Sequence, residues 1–179
     1  MALIVDNDSY VTELEAEEYI SKNYVSTDPL RKAWAALTDE DKEVYLRVAA
    51  KTVDALALKG KKCEVNQKMQ FPRYYDSKSY QEYLYPEPED YDVHGRYYYQ
   101  ITVPNNVKYA QIETAIFNCD SKANKRIKLQ SQGVKSFSIG DLSETYGAGK
   151  SLYSNEAIIK APKAIELMRP FMGGTYNVI

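Results

Sequence analysis

The side chains that could carry out chemistry are few and widely separated. His94 is the only histidine, and no cysteine or second histidine lies at a metal-binding spacing from it, so neither a zinc site nor a histidine-activated nucleophile can be assembled around it. The segment GAGKS at 147–151 is too short for a phosphate-binding loop, which needs four residues between its glycines and a helix after it. The sequence therefore predicts no catalytic residue, no metal site, no cofactor, and no enzymatic activity.

Three further residues have a chemical and a structural interpretation. Arg73, next to a proline, could clamp a phosphate or carboxylate, but an arginine that pins a loop to a helix end or to a nearby acid is the commoner arrangement. Cys63 and Cys119 are far apart in the chain and form no CxxC pair, which favours a reducing compartment without disulfides. Cys119 lies on an apolar helical stripe and is expected to be a small core residue.

The composition is that of one globular domain. Of the 179 residues, 44% are hydrophobic and 27% are charged, which is enough apolar material for one core, and we expect a single domain over 1–179. The net charge of -2 argues against a general nucleic-acid coat but allows a local basic patch. No apolar run approaches a membrane span, and the first residues lack a basic leader. We therefore expect a cytoplasmic protein with no membrane partner.

Two amphipathic helices are predicted near the start of the chain. Thr12 and a glutamate three residues later have capping-box spacing before a helix over Glu13–Asn23. An aspartate followed by Pro29 is typical of the start of a second, short helix, which extends to about residue 37. It carries Trp34, which is expected to anchor the core because of its large apolar area.

A third, longer helix is predicted from about Asp39 to Gly60. Thr38 can cap it, and apolar residues recur along it at three- and four-residue spacings. Gly60 is the expected left-handed stop. Three helices joined by short turns predict a small antiparallel bundle over 1–73, and the long helix is the element along which the rest should pack.

Residues 74–103 form a tyrosine-rich acidic insertion. Nine of the 17 tyrosines lie here, with six acidic residues against Lys78 and Arg96, a local charge of 2 minus 6, or -4. A base-stacking platform is disfavoured because the acids would repel phosphate. We predict an exposed loop or extended hairpin that contacts protein. Its proposed contact residues are Tyr83, Tyr85, Tyr91, Tyr97, Tyr98 and Tyr99.

The next segment combines a helix with the basic patch of the chain. A helix is predicted over 104–119, capped by Asn105 or Asn106. Residues 104–135 contain six basic and two acidic side chains, a net charge of +4. Such a run is usually a solvated surface, but it could face DNA without reading its sequence. The patch consists of Lys122, Lys125, Arg126 and Lys128.

The remaining residues add a small sheet element and a last helix. Alternation in period two over 134–146, around the turn Gly140-Asp141, predicts a β-hairpin. A helix should open at Pro162 and stop at Arg169, followed by a short apolar tail. The predicted fold is thus mainly α, a small antiparallel helical bundle with a β-hairpin and a long tyrosine-rich loop or extended hairpin insertion.

The order of several short motifs resembles that of tailed-phage head-tail connector (adaptor) proteins, some of which are named DnaT-like single-strand-binding proteins. The resemblance extends over most of the chain, with residues 74–103 replacing a much shorter link. In order, its motifs are Ser9-Tyr10, Trp34, Lys59-Gly60, Gln67, Phe71-Pro72-Arg73, Val103-Pro104, residues 135–146, and Leu167-Met168-Arg169-Pro170-Phe171.

The resemblance implies a mainly helical virion protein. About twelve copies would form a ring at the virion neck, between the portal and the tail or head-closure proteins and around the DNA channel. The chain would be made in the host cytoplasm. Its basic patch would face the packaged DNA, and its C-terminal segment would dock on the portal. The docking residues would be Arg169, Pro170, Phe171, Tyr176, Val178 and Ile179.

The alternative function is a single-stranded-DNA-binding replication module of the DnaT-like kind. Such a module needs tyrosines interleaved with lysine and arginine along one groove, whereas the tyrosines of residues 74–103 are interleaved with acids. A helical domain without any assembly role is a third interpretation.

Overall fold

The computed structural model describes residues 3–74, 90–91, 97–98, 102–120, 136–139, 142–145 and 158–173. This part of the chain is mainly helical, as predicted. The helices are α1 (Glu13–Asn23), α2 (Pro29–Ala35), α3 (Asp39–Asp54), α4 (Asn105–Asn118) and α5 (Pro162–Met168), and a 3-10 turn (Arg169–Phe171) follows α5. None of the described helices is long and apolar enough to cross a membrane.

The starts of the first three helices follow their capping residues. At α1 the Thr12 side chain accepts the Glu15 N–H, and Glu15 accepts the Thr12 N–H, so the capping box is complete. At α3, Thr38 accepts the Asp41 N–H, and its hydroxyl donates to the Asp41 carboxylate at 3.0 Å. The predicted N-termini of α1 and α3 are therefore confirmed.

The predicted end of α3 was wrong. The helix ends at Asp54 rather than near Gly60, although Gly60 has the expected left-handed φ of 73°. Residues 57–59 bind the C-terminal segment instead. The Gly173 N–H donates to the Ala57 carbonyl at 2.8 Å, and the Lys59 N–H donates to the Phe171 carbonyl at 2.9 Å. These tertiary hydrogen bonds replace the helical ones that local periodicity predicted.

Within the described residues, six short strands pair as three antiparallel ladders. The first joins β1 (Lys61–Lys62) to β2 (Arg73–Tyr74), and the second joins β3 (Asp90–Tyr91) to β4 (Tyr97–Tyr98) within the tyrosine-rich insertion. The third joins β5 (Ser136–Ile139) to β6 (Leu142–Thr145), with Ile139 opposite Leu142. The predicted hairpin at 134–146 is confirmed, and the β3–β4 pair agrees with an extended hairpin in the insertion.

Helix α4, rather than α3, is the central element. It contacts each of the other four helices, and Val107 and the unbroken run 110–116 are buried. Its N-cap is Pro104 and forms no side-chain capping bond, so the prediction of an asparagine cap was wrong. Asn105 and Asn106 lie inside the first turn, because the last extended residue before the helix is Pro104, with a ψ of 146°.

The core consists of two adjoining apolar clusters. One lies between α1, α2, the first half of α3 and the middle of α4, and contains Trp34, which is 1% exposed as predicted. The other lies between the end of α3, α5 and the loop before β2, and contains Phe71 and Phe171 in an edge-to-face contact with ring centroids 5.5 Å apart. Both clusters draw on α4, which joins them.

Candidate functional site

Arg73 has a structural role and does not clamp a ligand: it joins two segments of the chain, and we call this set of contacts the Arg73 joint. Its side chain is buried, and its guanidinium donates to the carbonyls of Lys59 and Gly60 at 2.7 Å each. It also donates to the carbonyl of Gln70 at 3.2 Å and to the Gln70 side-chain oxygen at 2.6 Å. Because its donors bind Lys59 and Gly60 in the segment after α3, Arg73 holds the loop before β2 to that segment. This is the commoner of the two predicted roles.

Buried Tyr10 and partly buried Asp54 form a second set of contacts beside Arg73. The Tyr10 hydroxyl donates to the Asp54 carboxylate and accepts the N–H groups of Gln70 and Phe71 at 3.1 and 3.2 Å. Burial, followed by the Asp54 charge, raises the pKa of Tyr10, and burial raises the pKa of Asp54. The pair holds the 70–71 backbone against α3.

Gln111 ties three elements together inside the core. Its oxygen accepts the Tyr10 N–H at 2.9 Å, and its amide donates to the Ser9 hydroxyl at 2.7 Å and to the Leu46 carbonyl at 2.9 Å. Because the partners belong to the N-terminal segment and to α3, a single fully buried side chain of α4 fixes both. Sequence reasoning missed this role, since a glutamine on a helix usually faces solvent.

Glu113 is the buried acid of α4, and it is held mainly by tyrosines. The side chain is 3% exposed. Tyr19 donates its hydroxyl to the carboxylate at 2.8 Å, and Tyr24 donates to the other oxygen. The Lys163 ammonium of α5 lies 3.8 Å from the carboxylate and 4.3 Å from the centre of the Tyr24 ring. Burial, followed by Glu113, raises the pKa values of both tyrosines.

A groove of about 410 Å³ lies beside this cluster, between α1 and α4. Its aromatic wall is the pair Tyr19 and Tyr109, stacked with ring centroids 4.7 Å apart. Lys108 on its rim is bound to Glu15 at 3.0 Å, and Lys22 to Glu18 at 3.1 Å. The rim is therefore close to neutral, a weak attractant for phosphate.

The two cysteines show no sign of an activated thiol. Burial raises the pKa of Cys119 to about 11 and also raises that of Cys63. Cys119 is partly buried against the first core cluster, in keeping with its predicted packing role. Over the described part of the chain, no three histidine, cysteine or acidic side chains are grouped so that they could hold a metal ion.

The predicted docking residues fall into different environments. Arg169 is exposed and Pro170 is half-buried, whereas Phe171 is 1% exposed in the second core cluster. The Phe171 ring is thus occupied within the protein and is not a free surface, because it packs against Phe71. The other proposed docking residues lie outside the described residues, namely Tyr176, Val178 and Ile179.

Most of the other predicted interaction residues also lie beyond the structural description. This applies to the basic patch, Lys122, Lys125, Arg126 and Lys128, to Tyr83, Tyr85 and Tyr99 of the insertion, and to His94 and the segment at 147–151. Tyr91, Tyr97 and Tyr98 belong to strands β3 and β4, with Tyr91 opposite Tyr97 in the ladder.

The chain was compared with known proteins. Neither the comparison with curated proteins nor that with solved structures found a match. A family model matches residues 1–179, and its description reads "Putative DnaT-like ssDNA binding protein". The match spans the full sequence, including the helical body described above and the tyrosine-rich insertion. The chain therefore belongs to this DnaT-like family.

Proposed function

We propose that this protein is a non-enzymatic structural subunit of a phage head-tail connector. It would form a ring at the virion neck, between the portal and the tail or head-closure proteins. The observation that carries the proposal is that the motifs of the resemblance coincide with joints of the fold. Tyr10 joins the N-terminal segment to α3, Arg73 pins the loop, and Phe171 packs on Phe71. The residues in which the chain resembles connector proteins are therefore those that hold the segments of the helical body together.

The proposal gives the C-terminal segment the task of gripping the portal. Gly173, the residue before the segment 174–179, is anchored to Ala57 by a backbone hydrogen bond of 2.8 Å. Exposed Arg169 lies four residues before Gly173 in the chain. An apolar, β-prone tail on a rigid body is well suited to strand addition or to a partner's pocket.

Deleting residues 174–179 tests this docking role. The deletion keeps Gly173 and its bond to Ala57, so the fold should be unchanged by circular dichroism. Binding to purified portal, measured by sedimentation, should be lost, while the surface variant Val65→Asp, at a fully exposed position, should bind as the unaltered chain does. Unchanged portal binding by the truncated chain would refute the docking role.

The ring model also assigns a role to the basic patch. Neutralising Lys122, Lys125, Arg126 and Lys128 together to glutamine should reduce retention of packaged DNA, because these charges would neutralise phosphates in the channel. The matched control replaces four exposed lysines that lie outside the patch and outside the α1–α4 groove (Lys32, Lys61, Lys68 and Lys160) by glutamine. Equal DNA retention in both variants and the unaltered virus would remove the patch from the model.

The second candidate function is binding of single-stranded DNA, and the family match supports it more directly than it supports the connector. The α1–α4 groove offers the stacked pair Tyr19 and Tyr109 for bases, with Lys22 and Lys108 on its rim. The charges count against it, because a glutamate neutralises each of these lysines. Both candidates bring the protein into contact with DNA, but through different surfaces.

Salt-dependent binding separates the two candidates. A single-strand-binding module should bind oligonucleotides with an affinity that falls steeply as salt rises, since binding releases counterions. The substitution Tyr109→Ala should weaken that affinity about tenfold or more, as the loss of one stacked base does. A connector subunit should instead show weak binding, little preference for single strands, no effect of Tyr109→Ala, and assembly with portal.

A further inference from the structure

The outward face of α3 carries an exposed seam with two valines at its centre. Its side chains are Asp41, Val44, Val48, Lys51 and Ala55, at spacings of three, four, three and four residues. Val44 is 53% exposed and Val48 is 47% exposed, whereas the buried side chains of α3 lie on its opposite face. This spacing is the heptad repeat of a helix that packs against another helix.

Two further exposed apolar residues lie at the edge of this seam. Arg47, adjacent to Val48, binds Asp8 at 2.9 Å, and Asp8 in turn accepts the N–H of Ile4 at 2.8 Å. Ile4 and its neighbour Val5 are 55% and 37% exposed. Four of the seven large exposed apolar side chains of the described residues are therefore on α3 or in the N-terminal segment that is bonded to it. Such concentration is typical of an interaction surface.

The order of charges along the seam identifies the partner. Asp41 lies near the N-terminus of α3 and Lys51 near its C-terminus, with the two valines between them. In an antiparallel pair of identical α3 helices, Val44 faces Val48 of the second copy, and Asp41 faces its Lys51. A parallel pair would place Asp41 against Asp41 and Lys51 against Lys51. The seam is thus complementary to itself only in the antiparallel orientation.

We propose that two copies of this chain associate through α3 in an antiparallel, twofold-symmetric contact. The Lys51 ammonium makes no ion pair with the described residues, and in the dimer it binds the Asp41 carboxylate of the second copy. A helix of 16 residues is about 24 Å long, so the contact is small and the dimer is weak. A twofold contact closes on itself and is therefore distinct from the head-to-tail contact of a ring.

Charge reversal tests both the surface and its register. Sedimentation equilibrium from about 1 to 200 µM, a range suited to weak association, should show a monomer–dimer equilibrium for the unaltered chain. Lys51→Glu and Asp41→Lys should each weaken it about tenfold or more, because each creates two like-charge contacts per dimer. The double variant should recover the original affinity. A mixture of the two single variants should form a heterodimer more tightly than either forms a homodimer.

Two controls separate this effect from charge and folding. Lys32→Glu changes the net charge as Lys51→Glu does but lies on α2, and it should leave association unchanged. Val48→Asp should abolish association, whereas Val65→Asp should not, since Val65 lies outside the seam. Thermal melts confirm that each variant is folded. A chain that stays monomeric over the whole concentration range, or a double variant that does not recover, overturns the proposal.

Discussion

Arg73 and Glu113 are both buried charged side chains, 6% and 3% exposed, and their partners differ in kind. Arg73 is held mostly by backbone carbonyls, those of Lys59 and Gly60 after α3 and that of Gln70 in its own loop. Glu113 is held by the side chains Tyr19 and Tyr24, with Lys163 nearby. Backbone carbonyls cannot be removed by substitution or rotated to another side-chain conformation, so the position of the Arg73 joint is fixed by the fold. Side-chain partners can be changed singly, so the Glu113 cluster can be adjusted.

The location of the two sites strengthens this contrast. The Arg73 joint connects the loop before β2 to the chain that follows α3, and the C-terminal segment packs against that chain. The Glu113 cluster faces the α1–α4 groove, because Tyr19 is at once a donor to Glu113 and one wall of the groove. A ligand that moved Tyr19 in the groove would therefore change the hydrogen bonding of Glu113. The hydrogen bonds of Arg73 would not change.

The largest expected effect is that of removing Arg73. The substitution Arg73→Ala leaves the carbonyls of Lys59, Gly60 and Gln70 without the donors that hold the loop to the chain after α3, and it should lower the free energy of unfolding by roughly 3 kcal/mol. Arg73→Lys should recover at most about half, because one ammonium cannot reproduce the planar fork. Urea unfolding followed by circular dichroism measures both. Exposed Arg169→Ala is the matched control, with an expected change within about 0.5 kcal/mol.

Replacing Glu113 should have a smaller effect. In Glu113→Gln the remaining oxygen still accepts one tyrosine hydroxyl. The amide NH2 group cannot accept the other, so that hydroxyl must turn to a different acceptor. We expect a loss of about 1 to 2 kcal/mol, measured by the same unfolding experiment. A loss as large as that of Arg73→Ala would mean that the cluster is as fixed as the Arg73 joint, and the contrast would fail.

Local sequence patterns predicted the ends of elements where the deciding contacts are local. The bounds of α1 follow from Thr12 and Glu15, and the β5–β6 hairpin follows from its alternation and turn. The end of α3 could not be predicted in this way, because Ala57 and Lys59 bind residues more than 100 positions later. Tertiary hydrogen bonds of that kind leave no periodic signal.

The burial of α4 and its polar side chains was also beyond local reasoning. A glutamine and a glutamate on a helix are ordinarily assigned to the solvent side, yet Gln111 and Glu113 are both buried. One signal was present in the sequence: the described helix α4 carries only Lys108 and Glu113 as charged residues, and it has small residues around the glutamate. Sparse charge and small side chains are typical of a helix enclosed by neighbours.

The next prediction concerns the ionisation of the three hydrogen-bonded tyrosines. The folded chain keeps Tyr10, Tyr19 and Tyr24 protonated above their ordinary pKa of about 10. The unfolded chain then binds fewer protons than the folded one, so stability is complete below pH of about 10 and falls as the pH rises further. Glu113→Gln should lower the pKa values of Tyr19 and Tyr24 but not that of Tyr10. Asp54→Asn should lower the pKa of Tyr10 but not those of Tyr19 and Tyr24. NMR of isotope-labelled tyrosine rings measures each one separately.

The smallest expected effect is that of Lys163, and it is the sharpest test of how Glu113 is held. The Lys163 side chain is 59% exposed and lies 3.8 Å from the carboxylate, so solvent screens the attraction and the pair should contribute about 0.5 kcal/mol or less. Lys163→Met should therefore change stability little more than the neighbouring exposed Lys160→Met, and the difference should shrink at high salt. If Lys163→Met instead cost as much as Glu113→Gln, and the double variant cost no more than either, the buried charge would be held by an ion pair. The hydrogen bonds from Tyr19 and Tyr24 would then not suffice to keep the carboxylate inside this protein without the Lys163 charge.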